Sequence, residues 1–170
     1  MTRRMPMADP ENKTARRALS IAAALAATTP GEKAEARRMD AAGSPLFWRQ
    51  AARLELPQSQ EAMWLRFTRM VALMTPAGRD ISIHDDGRPL GAALADAKLS
   101  EQRFARLLAA RGATRDDALE RAIRMLARTG KGLDVTDLAN AILWPDETSR
   151  LARTYYRQFA KQMPEELEND

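Results

Sequence analysis

Apolar residues recur at intervals of three and four along most of this chain, and each run is closed by proline, glycine or a residue suited to a helix cap. Alanines with Leu19, Ile21 and Leu25 predict a first helix from Thr14 to Ala27. Thr29-Pro30-Gly31-Glu32 has the form of a capping box with proline at the first helical position, and it opens a helix through Met39. Ser44-Pro45 repeats the device ahead of Leu46, Phe47 and Trp48, and Pro57 with Ser59 restarts the chain into Met63, Leu65, Phe67, Met70, Val71 and Met74. From Thr75 to Pro89 the period breaks at two prolines, two glycines and three aspartates, which marks a hinge. Ile81-Ser82-Ile83 alternates there, but one extended piece without a partner is not a sheet.

Helical spacing returns near 89–97, 100–110, 114–128, 134–144 and 147–162. Ser100, Thr114 with Asp117, and Asp134 with Asp137 supply start signals, while Gly130-Lys131-Gly132 and Pro145 end the helices before them. The fold class expected is all-α: two small helical bundles joined by a loop, about nine helices. A flexible arm over residues 1–12 precedes an N-terminal bundle over 13–75, a linker over 76–89, a C-terminal bundle over 90–163 and an acidic tail over 164–170.

Composition narrows the functions open to such a fold. At 170 residues with 45% hydrophobic side chains the chain can bury a true core. It has no cysteine, so neither a disulfide nor a thiolate metal site is available, and a cytoplasmic location is expected. The longest apolar run, Ile21 to Ala27, falls well short of the roughly 20 residues that span a bilayer, and the arginines before it are not followed by a clear export pattern. No membrane association, cofactor or metal is expected.

The charge pattern is more informative. Glu165, Glu166, Glu168 and Asp170 are four of the 23 acidic residues, so the remaining chain sets 27 basic against 19 acidic side chains. Only five of the basic residues are lysine, and guanidinium forks onto phosphate oxygens and stacks on bases. Arg150, Arg153, Arg157 and Lys161 step along one stripe of the last helix, with Tyr156, Phe159 and Met163 expected to turn inward. Arg121, Arg124 and Arg128 form a second stripe opposite Leu119, Ala122, Ile123 and Leu126. Two such ridges could border one groove for a nucleic-acid backbone. The plainer reading is a set of solvated faces laced with Asp116, Asp117, Glu120 or Glu147.

Other constellations argue against catalysis. His84 is the only histidine; His84-Asp85 lacks the additional histidines and carboxylates that a metal-dependent phosphohydrolase requires, and there is no GxSxG, GxGxxG or GxxxxGK[ST]. Asp85 and Asp86 fit a solvated turn. Trp48, Trp64 and Trp144 each lie within an apolar stripe and are expected in the core, as are the nine methionines. A helix-turn-helix regulator built from 114–128 and 134–144 is the alternative DNA-binding reading, but Asp134 to Trp144 carries two aspartates and no arginine for a major groove.

Asp86 to Gly112 joins a turn, two short amphipathic helices and outward arginines: Leu90, Ala93, Leu94 and Ala97, then Ser100, then Phe104, Leu107 and Leu108 opposite Arg103 and Arg106. With the Lys33, Arg37 and Arg38 helix and Phe47-Trp48 upstream and Leu126 to Trp144 downstream, this order resembles the small subunit of the type I-E CRISPR surveillance complex Cascade, the CasB family. The resemblance runs from about Gly31 to Phe159 and rests on a distributed pattern rather than a catalytic motif. It implies an all-helical, non-catalytic protein, present as a pair of copies beside crRNA-bearing backbone and large subunits, that steadies the target and displaced DNA strands of the R-loop. It brings Arg37 and Arg38 into the nucleic-acid-binding set, beside Arg103, Arg106, Arg121, Arg124, Arg128 and, more distantly, Arg153 and Arg157.

Overall fold

In a computed structural model the chain is described over residues 10–163, so the acidic tail and nearly all of the N-terminal arm lie outside the described residues. The described residues form nine α-helices: α1 (Pro10–Ala27), α2 (Pro30–Arg38), α3 (Pro45–Arg53), α4 (Glu61–Leu73), α5 (Leu90–Asp96), α6 (Glu101–Ala109), α7 (Gly112–Ala127), α8 (Val135–Leu143) and α9 (Ser149–Gln162). A single 3-10 turn, Gln58–Gln60, leads into α4. The all-α expectation holds. The first helix starts earlier than its apolar period suggested, at Pro10, inside the stretch assigned to the arm.

Four helix starts use the residues that announced them: Thr29, Ser44, Ser100 and Asp134. The Thr29 hydroxyl accepts from the Glu32 amide at 3.2 Å, Ser44 from Phe47 at 3.4 Å and Ser100 from Arg103 at 3.3 Å. Only half of the capping box forms, because the Glu32 carboxylate takes the Thr28 hydroxyl and the Arg49 guanidinium instead of turning back to Thr29. Those two bonds, Thr28 first, hold the Glu32 carboxyl below its ordinary pKa. Helix α7 departs from expectation: Thr114 lies within it, and it begins after Arg111 with no side-chain cap.

Buried side chains of both halves form one continuous cluster, from Ala18 in α1 to Tyr155 in α9. Helix α4 is central, packing on α1 and α2 and reaching α7 and α8; its Trp64 and Phe67 meet edge to face at 5.3 Å. At the other end Phe104 of α6 stacks on Tyr155 of α9, their ring centroids 3.7 Å apart, and the Tyr155 hydroxyl donates to the Leu99 carbonyl at 2.7 Å. Helix α5 lies directly on α9 because Gly91 has no side chain: a Cβ there would stand 2.4 Å from the Leu151 carbonyl oxygen.

The connecting segment is hydrogen-bonded to the chain around Leu133. His84 pairs with Leu133 in a lone parallel bridge, the Asp85 amide donates to the Leu133 carbonyl at 2.9 Å, and the Leu133 amide donates to Ile83 at 3.0 Å. Arg88 adds its side chain, Nη1 donating to the Gly132 carbonyl at 2.7 Å. Gly132 permits this approach, since a Cβ at that position would overlap the Ile83 carbonyl oxygen. Ile81-Ser82-Ile83 thus leads into a backbone pairing of one residue and not into a sheet.

The aromatic expectations divide. Trp64 is fully buried, but Trp48 is 44% exposed and Trp144 38% exposed. Trp48 follows Phe47, which takes the inward position, and its indole N–H donates to the Ala42 carbonyl at 2.8 Å. Trp144 falls after the last turn of α8, where the helical period no longer governs its direction. On α9 the inward ring is Tyr155; Tyr156 is exposed and its hydroxyl meets Glu101 at 3.3 Å, and Met163 is exposed as well.

Candidate nucleic-acid interface

Helices α6 and α7 form a hairpin, and the two arginine sets predicted on them meet across it. Ser100 and the Phe104/Leu107 period turn Phe104 and Leu107 into the core, which leaves Arg103 and Arg106 outside. On α7 the inward row Leu119, Ala122, Ile123 and Leu126 leaves Arg121, Arg124 and Arg128 outside. All five arginines line one open groove of about 500 Å³, floored by Leu99, Leu107, Ala118, Ala122 and Met125. The expected partner of the α7 stripe was α9; the observed partner is α6.

The electrostatics of the groove are uneven. Glu120 receives Arg124 Nη2 at 2.8 Å and, from α4, Arg69 Nη2 at 2.9 Å, so Arg124 is held by a carboxylate. Arg103, Arg106, Arg121 and Arg128 have no carboxylate within 4 Å among the described residues, and all four are exposed. An apolar floor beneath unpaired guanidinium groups suits a chain that is anionic along its edge and carries flat bases.

The other predicted residues lie elsewhere. Arg37 is half-buried, its Nη1 donating to the Thr75 carbonyl at 2.9 Å. Lys33, expected on the surface with it, is only 2% exposed and its ammonium donates to the Ala77 and Arg79 carbonyls, so both cations close the chain end that follows α4. Only Arg38 of that trio faces solvent. Arg153 and Arg157 are exposed on α9 but do not line the α6–α7 groove. Arg150 is bound by Asp137 through Nε at 2.7 Å, and that bond first, then the carboxylate charge, raises its pKa above the ordinary arginine value. Sequence reasoning missed the union of the α6 and α7 arginines, although the short link between the helices, Ala110-Arg111, is the signal that makes them antiparallel neighbours.

The residues behind two alternative readings have structural roles. In α8, the proposed reading helix of a helix-turn-helix, seven of nine residues are buried: Val135, Asp137, Leu138, Ala139, Ala141, Ile142 and Leu143. His84 Nδ1 accepts from the Val135 amide at 3.3 Å, with Asp134 3.8 Å away, so the ring helps to start α8.

Comparison with known proteins identifies the family. A family model described as CRISPR-associated protein Cse2 matches residues 32–160, most of the chain. The chain belongs to the Cse2 family. Membership agrees with the resemblance carried by Asp86 to Gly112 and makes the chain a Cascade subunit. The matched span contains all nine predicted arginines, from Arg37 to Arg157. Among solved structures, the crystal structure of CasB from Thermobifida fusca superposes with a TM-score of 0.61 at 19% identity, covering 88% of this chain and 96% of that one. At that identity the likeness speaks for the fold. No curated protein sequence matches.

Proposed function

We propose that this Cse2-family subunit is a non-catalytic clamp that steadies the target and displaced DNA strands of the Cascade R-loop, with the α6–α7 groove gripping the sugar-phosphate backbone. One observation carries the reading: Arg103, Arg106, Arg121 and Arg128 surround a single groove, and none of the four has a carboxylate within 4 Å among the described residues. Guide pairing supplies the sequence in such a complex, and exchanging one duplex for another is nearly balanced in energy. Contacts blind to sequence can therefore tip the balance, and each guanidinium on a phosphate releases about one counterion. The subunit does this inside the assembly, beside the crRNA-bearing backbone and large subunits and a second copy of itself. Arg38, Arg153 and Arg157 are the outlying contacts, and Arg37 acts through the fold.

The test is the salt dependence of DNA retention by the assembled complex. Changing Arg103, Arg121 and Arg128 together to alanine should leave melting unchanged and lower the slope of log K against log salt by roughly 2 units, at about 0.7–0.9 for each lost contact. A slope equal to that of the unchanged complex overturns the groove as the contact surface.

A further inference from the structure

The hairpin that forms the groove also contains a cation with nothing to bind. Arg115, on the first turns of α7, is only 4% exposed, yet its guanidinium makes no hydrogen bond and has no carboxylate within 4 Å among the described residues. Its neighbour Asp116 is engaged by Arg66 at 3.1 Å. Burial lowers the Arg115 pKa from the ordinary value; the charges of Asp116 and Asp146 oppose that effect and the charge of Arg111 adds to it, which puts the two guanidinium groups within electrostatic range of each other.

Both cations sit at the wrong end of a helix. Side chains lean toward the helix N-terminus, so Arg115 covers the first turn of α7, and Arg111 is the residue just before it. The N-terminal end of a 16-residue helix is itself positive. The amides of Gly112, Ala113 and Thr114 have no acceptor among the described residues, because Arg111 offers none. Gly112 has φ of +58° with open space around its Cβ position, a left-handed residue ahead of helical ones that gathers successive N–H groups into a concavity. Arg111 is anchored, its Nη1 donating to the Leu108 and Ala110 carbonyls at 2.8 and 2.9 Å. Asp146 is the one carboxylate that faces both cations, 4.0 Å from Arg111 Nε, and at 90% exposure it stays largely in solvent.

We infer that the N-terminus of α7 is a phosphate-binding site, formed by the Gly112, Ala113 and Thr114 amides and the guanidinium groups of Arg111 and Arg115. A phosphate there supplies acceptors for three amides and a counter-charge for two cations and the helix end together. The site shares no residue with the lining of the α6–α7 groove, and it does not depend on the groove reading.

The phosphate can be free or part of a polynucleotide, and amide NMR on the full chain distinguishes them. Inorganic phosphate titrated at constant ionic strength should move the Gly112, Ala113 and Thr114 amide signals together to saturation, with chloride as the reference. A single-stranded oligonucleotide that moves the same three signals assigns the phosphate to nucleic acid; an oligonucleotide that leaves them still, with inorganic phosphate active, assigns it to a free anion. Arg111→Gln, at an exposed side chain, should raise the phosphate midpoint about tenfold while the spectrum stays folded. Arg115→Gln should do the same, and if that variant fails to fold Arg111→Gln still decides. Shifts that never saturate, that chloride reproduces, or that Arg111→Gln leaves unchanged overturn the site. Loss of the salt slope through the groove arginines with no response at these amides would sink this site and leave the groove standing.

Discussion

Asp137 binds Arg150 at 2.7 Å and thereby removes the first cation from the α9 stripe. The same carboxylate accepts the Leu90 amide at 2.7 Å through its other oxygen, so one buried side chain of α8 starts α5 and locates α9. Asp137→Ala leaves the Leu90 N–H buried without an acceptor and should destabilise the protein by about 2–3 kcal/mol in denaturant unfolding. Arg150→Ala, whose side chain is 60% exposed, should cost distinctly less. Equal costs would mean that the ion pair, and not the helix start, is what Asp137 contributes.

Gly91→Ala addresses the α5–α9 contact. A methyl group there meets Thr154 Oγ1, the Leu151 carbonyl and the Tyr155 amide together, two of them backbone that cannot step aside. Separation of the helices should lower stability by about 3 kcal/mol and expose Tyr155 to quenching or iodination. Gly78→Ala, where nothing lies within 4 Å, is the matched control and should change stability by less than about 0.5 kcal/mol.

Glu120 holds both Arg69 and Arg124. Glu120→Gln removes a negative charge from the edge of the groove and releases Arg124, so DNA should be held more tightly by the assembled complex and with a steeper salt slope. Arg124→Ala alone should change that slope less than Arg121→Ala does, because its charge is already matched. A weaker complex in Glu120→Gln at low salt would show that Arg124 matters only when held in place by its carboxylate.

Acid should loosen the contact between the C-terminal end of α5 and Arg88 of the connecting segment. Burial tends to raise the Asp96 pKa, but the Arg88 hydrogen bond and charge, Gln158 and the charge of Lys131 outweigh it and leave the folded value below the ordinary 3.8. A carboxylate depressed in the folded state stabilises above its unfolded pKa, and that contribution fades as pH falls from about 4 through the folded value. Asp96→Asn should therefore flatten the decline of melting temperature below about pH 4 and leave the curve near neutrality parallel to that of the unchanged protein. An identical acid limb in both proteins would rule this carboxylate out as its source.

The parts of this fold legible in the sequence are those decided within a few residues. Thr29, Ser44, Ser100 and Asp134 cap helices because the amides they serve lie two or three positions ahead. Periodicity places most of each face but cannot choose between neighbours 100° apart, which is why Tyr155 and not Tyr156 enters the core. Burial of Lys33 was hidden because its carbonyl partners come from Ala77 and Arg79, 44 and 46 residues away. Arg121 and Arg103 could each be read as surface residues; that they share one groove depends on how their helices pack.

The contact between Gly132 and Ile83 has a mechanical consequence. With no room for even one carbon between the two stretches of backbone, and with Arg88 bonded to Gly132 and Asp96 across the same junction, the end of the connecting segment is fixed to the C-terminal half. A swing of α1–α4 against this half would therefore have to turn about the chain ahead of Ile83 and open the packing of α4 on α7 and α8.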